Sequence, residues 1–333
     1  MHSLFGVENP LMDVIARVDY AFLERFGKQA GTMHLVEYDE IVRLLREIGP
    51  CRTMAGGSAA NTARGFAWLA SEAGKDLRES ILGSRASTEP PSLPVFNGAI
   101  GADQRGDEFF AHLSGAGVHA SLVRKATPTG TSIILVTPDS ERTMNTFLGA
   151  CRDFQAADLD LDRLAVSRML YLTAYLWDTD NQCAAAEKAA AFAKEHGIAI
   201  AFDLADPFAV RRYGDQLRSW IPGRVDILFG NRDELALLTQ GACDEDCVTD
   251  AASLAPLVVM KVGARGCLVG GEGGSFAVAG VPVTLVDTTG AGDAFAAGFL
   301  FAWLAGAEPV TCARLANALA ARIVSAEGCN YSG

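Results

Sequence analysis

The chain has little that would assign it to a membrane, a nucleic acid or a disulfide scaffold. No uninterrupted apolar stretch is long enough to cross a bilayer; residues 281–304 come nearest and contain two aspartates and several glycines. Basic residues are outnumbered, 28 against 40 acidic ones, and the net charge of −12 argues against nucleic acid or an anionic membrane as partner. The first residues, Met1-His-Ser-Leu-Phe-Gly-Val-Glu8, show no basic region leading into a long apolar run, so no secretory leader is expected. The eight cysteines, at 51, 151, 183, 243, 247, 267, 312 and 329, follow no framework spacing. Reduced thiols in a cytoplasmic protein fit them best, and Cys243 with Cys247 has no second Cys or His pair beside it to complete a metal site. There is no internal repeat, no Gly-x-x-x-x-Gly-Lys-Ser/Thr phosphate loop and no protein-kinase signature set.

What is present is apolar and rich in glycine. Half of the 333 residues are hydrophobic and 34 are glycine, enough for a sizeable core. Residues 3–7 read as a buried strand, broken by Pro10. The stretch 14–38 holds β-branched residues and a short helical piece at Tyr20–Phe26, and 38–48 is amphipathic, with Ile41, Leu44, Leu45 and Ile48 on one face. Residues 74–94, rich in Gly, Ser, Glu and Pro, read as a surface insertion. A strand at 131–137 is expected to pair antiparallel with 142–148. From residue 168 apolar strands alternate with helices, which implies an α/β fold with a buried, mostly parallel sheet. Ligands in such sheets bind beyond the carboxyl ends of the strands, where the polar motifs of this chain fall.

Residues 283–286 read as a strand end, Gly290 and Gly292 as a tight turn, and the run from Asp293 as an apolar helix. Such a turn aims free amides and the positive end of a helix dipole at one spot, suited to an anion. Asp293 there is either an ordinary N-cap or a base that takes a proton from an alcohol. A dinucleotide-binding turn is disfavoured, since the third glycine is misplaced and only about forty residues follow. Gly56 and Gly57 precede a helix with Ser58 as its expected N-cap, and Asn61 points a polar group inward from the first turn. Asn231 and Glu234 lie one turn apart, as a capping box or as oxygen donors for Mg²⁺ through water. Lys261 precedes Gly263 and Gly266, a hairpin turn or a ligand loop.

The pair Gly56-Gly-Ser-Ala-Ala-Asn61 and Asp287-Thr-Thr-Gly-Ala-Gly-Asp293 resembles the ribokinase (PfkB) family of small-molecule kinases. Leu4-Phe-Gly-Val-Glu-Asn-Pro-Leu-Met-Asp13, Asp203-Leu-Ala-Asp-Pro-Phe208 and Asp226-Ile-Leu-Phe-Gly-Asn-Arg-Asp-Glu234 are similar to its adenosine-kinase-like branch. The likeness runs from Ser3 to Cys329, interrupted by an insertion over 72–94. It implies one kinase domain over 1–333: a Rossmann-like α/β body, about 1–10, 39–125 and 149–333, and a small β-sheet lid, about 11–38 and 126–148. It also implies transfer of the ATP γ-phosphoryl group to a hydroxyl, with Mg²⁺. Asp293 would be the base and the amides of Gly290, Ala291 and Gly292 the anion hole. Asn9, Asp13, Gly56, Gly57 and Asn61 would hold sugar hydroxyls, and Leu35, Tyr175 and Phe208 a purine. Arg142, Asn231, Glu234, Lys261, Gly263, Gly266 and Asn317 would serve ATP, with Asn231 and Glu234 organising the metal. The acceptor the resemblance implies first is the 5′-hydroxyl of a nucleoside, adenosine above others, with a free sugar (fructose, ribose or a keto-deoxy sugar acid) as the alternative. It leaves open a potassium requirement found in part of the family, and a monomer or homodimer. Thr289 stands where animal adenosine kinases carry Asn, and Tyr175 where Phe is expected.

Overall fold

A computed structural model describes residues 2–83, 91–139, 141–271 and 273–331. Its strands are β1 (His2–Val7), β2 (Leu11–Arg17), β3 (Met33–Leu35), β4 (Cys51–Gly56), β5 (Val95–Gly101), β6 (His119–Lys125) and β7 (Gly130–Val136). They continue as β8 (Arg142–Phe147), β9 (Ser167–Thr173), β10 (Ala199–Asp203), β11 (Ile227–Asn231), β12 (Leu257–Lys261), β13 (Gly266–Gly271) and β14 (Gly274–Ala279). Nine form one sheet in the order β14-β13-β12-β11-β10-β9-β1-β5-β6. From β12 to β6 every neighbour pair is parallel, and the two antiparallel pairs are β12–β13 and β13–β14.

The central strands are apolar on both faces because helices cover both. On one side Leu4, Met169, Tyr171 and Phe229 pack with the helices Ser58–Ala70, Ala291–Leu304 and Pro309–Val324. On the other, Phe5, Leu170, Phe202 and Met260 meet the helices Asp180–Glu195 and Pro207–Trp220. Alternate residues of one strand thus feed two cores, as the twofold side-chain repeat requires. Helix Ala291–Leu304 is apolar all round and almost wholly buried, which is why it can sit between the sheet and helix Pro309–Val324.

The second sheet has the order β3-β8-β7-β2-β4. One face is covered: Val14, Ala16, Ile133 and Leu135 pack with Ile41 and Leu44 of helix Tyr38–Glu47 and with Leu23 of helix Tyr20–Arg25. The opposite face, carrying Leu11, Asp13, Ile134 and Met144, lines a cavity shared with the large sheet.

Three expectations are corrected here. Residues 283–286 form no strand; β14 ends at Ala279, and Val283, Leu285 and Val286 lie exposed in the segment leading to the glycine turn. Their β-branched composition lacks the cross-strand partner that would make a strand of it. The segment 72–94 is more structured than a surface insertion, for Lys75–Leu82 is a helix whose Leu82 is buried. Its Arg78 donates to the carbonyls of Leu69 and Ser71 and so terminates the preceding helix. Residues 84–90 of that segment lie outside the described residues. Finally, Ser58 is not an N-cap: Gly57 occupies that position and Ser58 is the first helical residue.

Candidate active site

The start of helix Ala291–Leu304 decides the reading of Asp293. Gly290, at φ 73°, is the N-cap, and Asp293 is the third residue of the helix, so it caps nothing. Instead its carboxylate is held from another helix: Ser58 Oγ donates to Oδ1 at 2.7 Å and Asn61 Nδ2 to Oδ2 at 2.9 Å. Two donors fix both oxygens in one orientation. The β4-to-helix turn supplies them because Gly57, at φ 91°, bends where a Cβ would meet Asn9 O at 2.5 Å. A Cβ at Gly56 would collide with the Asp13 carboxylate.

The turn at 288–293 stands between two cavities. The first, about 380 Å³, is lined by Asn9, Asp13, Gly57, Tyr175, Phe208, Gly290 and Asp293, together with the open face of the second sheet. The second, about 490 Å³, is lined by Lys261, Gly263, Gly266, Ala291, Gly292 and Asn317. Thr288 borders both. Ala291 N–H turns back to Thr288 O at 3.2 Å, which leaves Gly292 N–H, next along the first helical turn, as the better anion donor. A carboxylate in one cavity and a helix start in the next is the layout of proton removal beside phosphoryl transfer.

Burial sets the protonation chemistry. Asp293 is pushed up to about 6, mainly by burial, against the lowering effect of Ser58 and Asn61. Asp13 is pushed up to about 7 by burial and then by the Asp293 charge. Glu8, hydrogen-bonded by Ala59 N–H and Thr173 Oγ, each at 2.6 Å, reaches about 8, again by burial first. A base at Asp293 would have to be ionised to act, so kcat/KM is expected to rise with pH through about 6 and level off above it. A rate constant flat from pH 5 to pH 8 contradicts this.

The pfkB family carbohydrate kinase profile matches residues 31–332. The chain belongs to this family. It is 33% identical to the adenosine kinase of Sinorhizobium meliloti, whose crystal structure superposes with a TM-score of 0.87 over 99% of this chain and 95% of that one. A probable sugar kinase of Rhizobium etli is 31% identical, with a TM-score of 0.88 over 100% and 96%. A nucleoside kinase of Methanothermobacter thermautotrophicus is 29% identical over 299 residues, 89% of this chain and 86% of that protein. Family membership makes the chain a phosphotransferase acting on a hydroxyl group, using ATP and Mg²⁺, with the ribokinase-like fold. Among the described residues no helix is long and apolar enough to cross a membrane.

The other expected site residues are placed as follows. Leu35, Tyr175 and Phe208 reach the first cavity, Leu35 at its exposed edge. Asn9 and Asn61 are buried and already engaged, Asn9 Oδ1 by Gln182 and Asn61 by Asp293 and Arg64. Asn61 therefore orients the carboxylate, where a sugar-hydroxyl contact was expected. Asn231 and Glu234 form the complete capping box: Glu234 takes Asn231 N–H at 2.7 Å and Nδ2 at 2.6 Å, and Asn231 Oδ1 takes Glu234 N–H at 2.9 Å. No cluster of three His, Cys, Asp or Glu suited to a metal occurs among the described residues. Arg142 pairs with Asp287 across the two sheets, and Asn317 donates to the carbonyls of Val278 and Ala279.

Ser58, Glu8, Asp203 and Asp287 were missed as site residues. Asp203 had a legible signal: it ends β10 as Asn231 ends β11 and Lys261 ends β12, the position where such sheets place function. Asp287 binds Thr289 N–H, Thr289 Oγ and Gly328 N–H, each at 2.8 Å, an arrangement no local pattern announces.

Proposed function

We propose that the chain transfers the γ-phosphoryl group of Mg·ATP to the 5′-hydroxyl of a nucleoside, with adenosine the leading acceptor. The mixed character of the first cavity carries the reading. In its lining Asn9, Asp13 and Asp293 are polar, while Leu11, Met33, Leu35, Met144, Leu148, Tyr175 and Phe208 give it apolar and aromatic surface. A nucleoside has a hydroxyl-bearing half and a flat apolar half, whereas a free sugar presents hydroxyls on every side. The identity with the adenosine kinase of Sinorhizobium meliloti supports the same assignment.

In this mechanism Asp293 takes the proton of the 5′-hydroxyl as its oxygen bonds to the γ-phosphorus. The bond from phosphorus to the bridging oxygen breaks, and ADP leaves with the electron pair. The Gly292 amide faces the charge on the moving phosphoryl group, while the Ala291 amide, bonded back to Thr288 O, holds the turn in shape. Asp13 holds ribose hydroxyls. The second sheet acts as a lid over the acceptor, bringing Arg142 towards the phosphates and excluding water. Mg²⁺ lowers the charge repulsion at the phosphates when bound. Asn231 and Glu234, paired with each other as a capping box, would hold it only through water.

An ADP-release assay across adenosine, inosine, guanosine, cytidine, ribose and fructose tests the acceptor, run in potassium and in sodium salts. Adenosine is expected to give the highest kcat/KM. Activity confined to free sugars refutes the nucleoside reading and favours the alternative represented by the Rhizobium etli relative.

A further inference from the structure

Lys261 is the last residue of β12; its side chain is only 15% exposed, and its ammonium is held by both oxygens of Asp203 at 2.9 and 3.1 Å. A Cβ added to Gly292 would lie 3.4 Å from that ammonium nitrogen, so the charge stands directly beside the helix start expected to meet the phosphates. Lys261 lines the second cavity together with Ala291 and Gly292. A solvated lysine or a mere hairpin flank would need neither the burial nor the partner. Burying an ammonium is costly even when paired, and a structure carries that cost where the charge has a task.

Asp203 continues the arrangement towards the base. Tyr171 donates to Asp203 Oδ2 at 3.4 Å, Thr62 Oγ donates to Tyr171 at 3.5 Å, and Thr62 Oγ also reaches the Asp293 carbonyl at 3.2 Å. One buried line of side chains thus joins the ammonium facing the second cavity to the backbone of the base facing the first.

We propose that Lys261 is a catalytic residue that contacts the γ-phosphoryl group as it leaves ADP, and that Asp203 is its positioning residue. The lysine adds a full positive charge to the amide hole, on the side opposite the attacking hydroxyl. Charge grows on the β–γ bridging oxygen as its bond to the γ-phosphorus breaks, and the ammonium neutralises it without giving up a proton. Asp203 keeps the ammonium from swinging out and prevents it from pairing with Asp293, whose carboxylate must stay free for the acceptor proton.

The inference deepens the reading above on the donor side and rests on it only through the use of ATP. Binding of ADP and of β,γ-methylene ATP, measured by calorimetry on Lys261→Met, Asp203→Asn and the double variant, needs no acceptor, so a wrong acceptor assignment leaves the test intact. Lys261→Met is expected to weaken the triphosphate analogue about tenfold and ADP less than twofold. It is also expected to lower kcat about 100-fold with the acceptor KM little changed. Lys261→Arg should recover part of the kcat. Asp203→Asn should lose the triphosphate preference while melting as a folded protein, a loss that a purely structural role would not cause. The double variant removes both buried charges and guards against misfolding of the single ones. Equal weakening of ADP and the analogue, or a kcat within threefold of the parent, overturns the proposal.

Discussion

Asp293→Asn is expected to lower kcat by about 10³-fold or more while leaving acceptor affinity within a few-fold. The substitution keeps size and polarity but removes the carboxylate proposed to take the hydroxyl proton, with Ser58 and Asn61 already fixing its orientation. Those two donors serve the carboxylate; an amide would receive Asn61 Nδ2 poorly on its nitrogen side, so the side chain also loses its aim. Steady-state turnover and acceptor binding by calorimetry separate the two effects, and near-parental turnover sinks the mechanism. Stability should move the other way. The folded pKa of Asp293 lies above its ordinary value, so its favourable contribution is present at low pH and is lost as pH rises through about 6. Asp293→Asn is therefore expected to raise Tm at pH 8, with the gain shrinking towards pH 5. A variant that loses activity because it misfolds would instead melt earlier at both.

Gly290→Ala is expected to be nearly as damaging to turnover, by about 10²-fold or more, with a stability loss of about 1–3 kcal/mol. Two physical causes act together. Gly290 sits at φ 73°, where an L side chain is strained, and a Cβ there would run into Cys329 Sγ. Cys329 cannot withdraw easily, since it is buried and its carbonyl accepts Arg64 Nη2 at 3.1 Å. The turn must shift, and with it the Gly292 amide and the Asp293 carboxylate. Cys329→Ala on top of Gly290→Ala relieves the collision but not the backbone strain, so a partial rescue of kcat is the expected result. Full activity in the single variant would show that the helix start is not the anion site.

Much of this was readable in the chain. The βα alternation after residue 168 appeared because the strands carry apolar runs that only a sheet covered on both faces can bury. Asp293 and its glycine turn stood out through spacing alone, as did Gly56-Gly57 and Lys261. The strand expected over 283–286 failed because β-branched composition reports fitness for a sheet and says nothing of whether an edge is available. Ser58 read as a cap because local preference favours serine there; an aspartate 235 residues away claimed its hydroxyl instead.

By itself the sequence determined the family and the layered α/β architecture and singled out Asp293 with its glycine turn, since each depends on local periodicity or on a contiguous motif. The tertiary structure alone decided which neighbours hold the Asp293 carboxylate, that Asn61 serves it, and that Lys261 pairs with Asp203 beside Gly292. It also gave the first cavity a lining both polar and apolar, by facing the second sheet towards the first. These are contacts between segments tens to hundreds of residues apart. Their energies come from burial and pairing that exist only once the chain has closed on itself.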